Sequence, residues 1–225
     1  MQTKLVAITE PFTTYNGEER LSPEQFIVYI ARVSNPANQL NVDTGPKLIR
    51  YLIDHKHWSP FEHVSATFEI KTSRAIAAQI LRHRSFTFQE FSQRYAKVTE
   101  LEILEWRNQG KTNRQVGDER AQVPSGLLCE ISGHQAKALE IYNELVFLGV
   151  AKECARMVLP LNTQTTLYMT GTIRSWIHYL ELRCMENTQK EHRDIALSIK
   201  KGLEVYFPET FKVLKDIEEL NFINA

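Results

Sequence analysis

Hydrophobic residues recur along this chain in two periods: every three to four positions, as in an amphipathic helix, and every second position, as in a half-buried strand. Leu5 to Ile8 is a short apolar run that reads as a strand. Ser22-Pro23-Glu24 marks a helix start, with serine at the cap and proline at the first helical position. That helix runs to about Val33 with Phe26, Ile27, Ile30 and Ala31 on its apolar face, and Asn35-Pro36 breaks it. Leu48, Ile49, Leu52 and Ile53 place a second helix over Pro46 to Asp54, and His57 to Glu62 is a proline-containing loop. From Val64 to Lys71, Val64, Ala66, Phe68 and Ile70 alternate with polar residues, the pattern of a strand with one buried face. Ser73 is placed to cap a third helix carrying Ile76, Ala77, Ile80 and Leu81. Phe86 to Tyr95 fits either a continuation of that helix or an ordered loop.

The second half reads as more helical. Lys111 to Gly126 is polar, contains Gly117, Pro124 and Gly126, and predicts a surface excursion. A long helix is expected from about Gln135 to Leu148, and another from near Lys152 to before Pro160. Residues 161–171 carry no predicted element. A further long helix spans about Thr172 to Tyr206 with an interruption near Asn187; Phe207-Pro208 stops it, and a short helix follows. No repeat, low-complexity tract or linker divides the chain. Residues 1–225 therefore read as a single α+β domain, mostly helical with a small central antiparallel or mixed sheet.

Composition narrows the function. Twenty-seven basic and 27 acidic residues cancel, so no broad basic surface for nucleic acid is expected and any phosphate site must be local. The three cysteines, Cys129, Cys154 and Cys184, form no Cys-x-x-Cys pair, and the start of the chain lacks a secretory pattern. Both fit a reduced, cytoplasmic protein. No apolar run reaches the roughly 18 residues a membrane helix needs.

The segment richest in candidate chemistry runs from Arg82-His83-Arg84 to Ser92-Gln93-Arg94-Tyr95. On a helix, three consecutive basic side chains fan out by about 100° each, so they cannot share one solvated face. Some must meet an anion, because an unpaired buried charge is very costly. The plainer alternative is a solvated helix end whose cations complement the C-terminal dipole.

Arg82-His83-Arg84, seven residues, then Ser92 is the signature spacing of flavin-dependent thymidylate synthases, and the chain resembles that family in three further stretches. Ala31-Arg32-Val33-Ser34 is similar to its Ala-Arg-Val-Ser. His57-Trp58-Ser59-Pro60-Phe61-Glu62-His63 resembles its Pro-Phe-Glu-His loop, and Arg156-Met157-Val158-Leu159-Pro160 with Arg174 and Arg183 its C-terminal substrate region. The resemblance covers roughly residues 25 to 185. It implies methylation of deoxyuridine monophosphate (dUMP), with reduced FAD as hydride source, and methylenetetrahydrofolate and NADPH as co-substrates. It also implies a homotetramer with flavin sites shared between subunits. Carried over by motif, Ser34, Ser59, Arg82, His83, Arg84, Glu90, Arg174 and His178 would hold the flavin. Gln79, Arg82, Glu90, Ser92, Gln93, Arg94, Arg156 and Arg183 would hold the nucleotide, with Arg94 and Arg156 at the phosphate. Arg183, beside the uracil ring, would act in catalysis by stabilising ring negative charge.

Each assignment has a plainer counterpart. Arg174 and His178 also fit an exposed basic stripe, and Arg183 a surface ion pair with Glu181 or Glu186. Ser92 has no neighbouring base in sequence and is expected to hold substrate rather than attack it. No Pro-Cys-His nucleophile occurs, and Cys154 is expected to be buried packing. Thr172 stands where many relatives carry asparagine near the flavin's adenine half, which leaves its contact open. Trp58, Phe86, Phe88 and Phe91 default to packing. His55, His57 and His63 lack a recognised zinc spacing, so no metal is expected.

Overall fold

The alternation along residues 64–71 becomes the spine of a sheet. The computed structural model describes the backbone of residues 1–15, 17, 19–97, 100–111 and 113–223, with side chains at all of these except 15, 118 and 216–223. In chain order the elements are β1 (Gln2–Ile8), a hairpin of β2 (Thr14–Tyr15) and β3 (Glu19–Arg20), α1 (Pro23–Ala31), α2 (Gly45–Asp54), β4 (Ser65–Ser73), α3 (Arg74–Ile80) and β5 (Thr87–Glu90). A second hairpin, β6 (Arg107–Gln109) and β7 (Gly117–Arg120), precedes α4 (Ser125–Phe147) and α5 (Lys152–Ala155). Then come β8 (Gln164–Thr172), α6 (Ile173–Arg183), α7 (Lys190–Glu204) and α8 (Pro208–Ile223).

The main sheet has the order β1-β4-β8-β5, every neighbouring pair antiparallel. Register sets Phe68 opposite Met169 and Ile70 opposite Leu167 on one buried face, which the pair Thr72 and Thr165 ends with hydroxyls. Ile76, Ile80, Trp176, Ile177, Ile195, Ile199 and Leu203 from α3, α6 and α7 cover it. Trp176 lies between Phe68 and Phe86, with ring centroids 5.2 and 4.6 Å away, and its indole N–H donates to the Ala66 carbonyl at 3.1 Å. Its one polar atom is thereby satisfied, as a buried indole requires.

The expected cap at Ser22 is present as a reciprocal box: Ser22 Oγ accepts the Gln25 N–H at 3.2 Å and Gln25 Oε1 the Ser22 N–H at 2.8 Å. Other expectations are corrected. Ser73 occupies the cap position of α3 without a side-chain cap bond, and the helix stops at Ile80. Arg82, His83 and Arg84 therefore lie in the turn beyond it and not on its last turn. The ambiguous segment holds strand β5. Residues 164–172 form β8, which like β4 pairs on both sides. Its clue was the alternation of Thr165, Leu167 and Met169 inward with Thr166, Tyr168 and Thr170, broken by Gly171.

Helix α4 begins about ten residues before the expected Gln135, through Gly126 and Gly133, whose poor helix propensity masked it. The long C-terminal helix is divided into α6 and α7 around Asn187, as its composition indicated, and α8 is long rather than short.

Candidate active site

Helix α6 leaves the end of β8 with Thr172 as its cap, whose Oγ1 accepts the Ser175 N–H at 3.3 Å. Because side chains four apart share a helix face, α6 presents Trp176, Tyr179, Leu180 and Arg183 inward and Arg174, His178 and Glu181 outward.

Inside, Arg183 Nε donates to His83 Nε2 at 2.9 Å. The His83 ring meets the edge of Tyr179 at 4.9 Å, and the Tyr179 hydroxyl is 3.0 Å from Nε2 of the fully buried His192. His192 Nδ1 is 3.3 Å from Gln79 Oε1. Gln79 Nε2 donates to Gln189 Oε1 at 2.7 Å, and Gln189 Nε2 to Glu191 Oε2 at 2.9 Å. Arg107 Nη2 closes the series on Glu191 Oε1 at 2.5 Å. Burial, then the nearby Arg183 and Arg82, lower the His83 pKa to about 4. Burial, then Arg183 and His83, lower that of His192 to about 3. Both imidazoles are neutral at pH 7. Burial pushes the Tyr179 phenol up, so it stays protonated. Burial acts to raise the Glu191 pKa, but hydrogen bonds from Arg107, its own backbone and Gln189 outweigh it, and the carboxyl sits below its ordinary value.

A second group gathers at the far end of β5. Glu90 Oε1 accepts from Arg74 Nη1 at 2.5 Å and from Thr165 Oγ1 at 2.9 Å. Arg74, Gln93, Arg156 and Thr163 line a cleft of about 280 Å³. Gln93 is 6% exposed, and its Nε2 is buried without a hydrogen-bond partner. Ser92 and Arg94 are exposed beside it, and Arg94 Nε lies 3.4 Å from Glu153.

The third group faces outward. Arg174 pairs with Glu62, and His178 Nδ1 lies 3.3 Å from Glu181 with its ring 5.2 Å from Trp58. Ser34, Ser59, Arg82 and Arg84 are all exposed.

Within one chain the expected site residues thus fall into three groups. Gln79, His83 and Arg183 are brought together; Glu90 joins Arg74, and Gln93 joins Arg156; Arg174, His178 and the serines lie outside. Arg183 meets a neutral imidazole, not the carboxylates Glu181 or Glu186. Arg32, the second residue of the Ala-Arg-Val-Ser motif, is buried and ties down the following loop through the carbonyls of Asn38 and Asn41 and the Thr44 hydroxyl. Cys154 is exposed, against the expectation of buried packing, because α5 is a single four-residue turn that buries only Ala155. Phe86 is buried as expected, whereas Phe91 is 36% exposed. His55 stacks on Tyr51 at 4.0 Å and His57 meets the same ring edge-on, all three on the surface.

Arg74, Arg107, Thr165, Tyr179, Gln189, Glu191 and His192 were not singled out from sequence. Only Tyr179 had a local signal, four residues before Arg183. The rest meet across the fold.

Fold and site together define an α+β protein whose half-buried guanidinium groups suit anionic ligands. The sequence profile of the thymidylate synthase complementing protein family matches residues 18–209. A probable flavin-dependent thymidylate synthase of Paramecium bursaria Chlorella virus 1 is 48% identical, over 95% of this chain and 99% of its own length. A flavin-dependent thymidylate synthase of Synechocystis is 47% identical, over 96% and 100%. Among solved structures, a UMP/dUMP methylase, PolB, from Streptomyces cacaoi bound with 5-Br dUMP superposes with a TM-score of 0.81 at 25% identity, covering 96% of this chain and 94% of that one. The chain belongs to the flavin-dependent thymidylate synthase family.

Proposed function

We propose that this protein converts dUMP to thymidylate by reductive methylation, with methylenetetrahydrofolate as carbon donor, reduced FAD as hydride source and NADPH as reductant. It works as a cytoplasmic homotetramer of single-domain subunits, with flavin sites at subunit interfaces. The observation that carries the reading is Arg183. Its guanidinium is half-buried and donates Nε to an imidazole held neutral, so no carboxylate cancels its charge at that contact. Such a cation suits a uracil ring that gathers negative charge as its neighbouring carbon becomes reactive.

The remaining groups support separate duties. Gln93 and Arg156 fit the nucleotide phosphate: the cleft they share holds a cation and an orphaned buried donor, which a phosphate oxygen would satisfy. Ser92 and Arg94, chain neighbours of Gln93, would join it, and Gln79, Arg82 and Glu90 would complete the nucleotide set. The outward group fits an anionic flavin with its pyrophosphate. Ser34, Ser59, Arg82, Arg84, Arg174 and His178 offer exposed donors, Trp58 gives an aromatic wall beside His178, and His83 and Glu90, which lie in the other two groups of one chain, would complete the flavin set. When bound, reduced FAD supplies the hydride; the protein supplies position and charge. That these groups divide within one chain supports a site completed between subunits. The exposed thiols of Cys129 and Cys154 support a reducing compartment.

The test is direct. Purified protein given FAD, NADPH, methylenetetrahydrofolate and dUMP is expected to yield thymidylate by chromatography. Flavin-loaded protein that leaves dUMP unchanged would refute the reading.

A further inference from the structure

The bonds from Arg107 to Tyr179 admit one consistent set of proton positions. Arg107 can only donate, and the ionised Glu191 can only accept. Gln189 must therefore turn its amide N–H₂ toward Glu191 and its carbonyl toward Gln79. Gln79 must in turn give its N–H₂ to Gln189 and its carbonyl to His192. His192 then carries its proton on Nδ1, and its bare Nε2 accepts from the Tyr179 hydroxyl. One carboxylate, set by a salt bridge from the 101–107 segment, thereby dictates the orientation of two amides and the tautomer of a buried histidine.

We propose that Glu191 is a positioning residue: acting through Gln189, and backed by His192 and Tyr179, it fixes the order in which the Gln79 amide presents its donor and acceptor to the nucleotide. This rests on the reading of Gln79 as a nucleotide-binding residue. With one N–H committed to Gln189 and one lone pair to His192, Gln79 retains one N–H and one lone pair for a ligand. A flipped amide would offer them in exchanged places. A pyrimidine edge, where donors and acceptors alternate, distinguishes the two. Arg107 and Glu191 are 11% and 19% exposed at the side chain, so their bond is better shielded from water than the surface pairs on the outer side of α6.

The substitution E191Q tests the relay. Because Arg107 still only donates, the new amide must turn its oxygen to Arg107 and its N–H₂ to Gln189. Every amide downstream then reverses, and His192 must move its proton from Nδ1 to Nε2. Nitrogen–proton NMR of the full-length protein is expected to show Nδ1–H at His192 in the wild type, Nε2–H in E191Q, and Nδ1–H again in E191D, which restores an acceptor-only group. An Nε2–H tautomer in the wild type, or an unmoved tautomer in E191Q, overturns the relay without reference to any ligand. By calorimetry, E191Q is expected to bind dUMP about tenfold more weakly, as for one misdirected hydrogen bond, with flavin affinity unchanged. Equal loss of both affinities would mean general structural damage and overturn the positioning role. If the tautomer switches but neither form binds dUMP, the relay stands, and both the nucleotide role and the proposed function fall.

Discussion

Arg174 and His178 lie on the outer side of α6, while Tyr179 and Arg183 lie on its inner side. The outer pair meet Glu62 and Glu181, with all four side chains about half exposed. The inner pair meet His83 and His192, both held neutral by burial. Rotation by about 100° between residues 178 and 179 thus separates two electrostatic regimes on one helix. Outside, water screens each pair and leaves the groups free to exchange partners for a ligand. Inside, desolvation makes the position of each proton consequential, and the network has few alternative arrangements.

Four measurements test that contrast. The largest effect is expected at Arg183. Arg183→Ala should lower turnover by about 100-fold to 1,000-fold, as for the loss of a preorganised donor in a water-poor site. Flavin affinity should move by less than about threefold. Equal losses in both would place Arg183 at the flavin and not at the nucleotide.

Next comes the packing behind the inner side. A Cβ at Gly171 would lie 2.4 Å from Cδ1 of Phe86, a buried ring with Trp176 on its other flank. Gly171→Ala is expected to cost about 1–3 kcal/mol. That would lower the melting temperature by roughly 2–4 °C per kcal/mol for a chain of this size. No change on melting would show that Phe86 has room to yield.

The two histidines with lowered pKa values predict an acid slope. Their folded pKa values, about 4 for His83 and about 3 for His192, lie below the ordinary 6.5. Below pH 6.5 the unfolded chain takes up protons that the folded chain refuses. Their contribution is therefore complete above about 6.5 and declines as pH falls toward 4 and then 3. Burial raises the Glu24 pKa, which works in the opposite sense. The test is accordingly the difference between wild type and His192→Phe, which should lose stability less steeply between pH 6.5 and 4 in denaturant titrations. Parallel curves would remove His192 as a source of the slope.

The smallest effect belongs outside. Glu62→Gln, which breaks the Arg174 pair, should change stability by less than about 1 kcal/mol. A larger loss would make the outer side as structural as the inner.

Legibility followed the same division. Local patterns revealed the serine cap of α1, the buried face of β4 and the break between α6 and α7, because each depends on neighbours within a turn or two. The motif residues were visible by type and spacing, Arg82-His83-Arg84 and Ser92 above all. Strand β8 carries its alternation only faintly in the sequence, since Gly171 and the threonines weaken the apolar signal. The glycines of α4 hid its first turns.

Sequence alone determined the family, the α+β composition and which cationic side chains are available, because periodicity and motif spacing are written in consecutive residues. Which of those cations are buried, and which proton sits where, emerges only once distant segments fold together. Arg107, Glu191 and His192 acquire their meaning by meeting Gln79 and Tyr179 across distant segments. Desolvation and hydrogen-bond direction are properties of that meeting and not of any residue by itself.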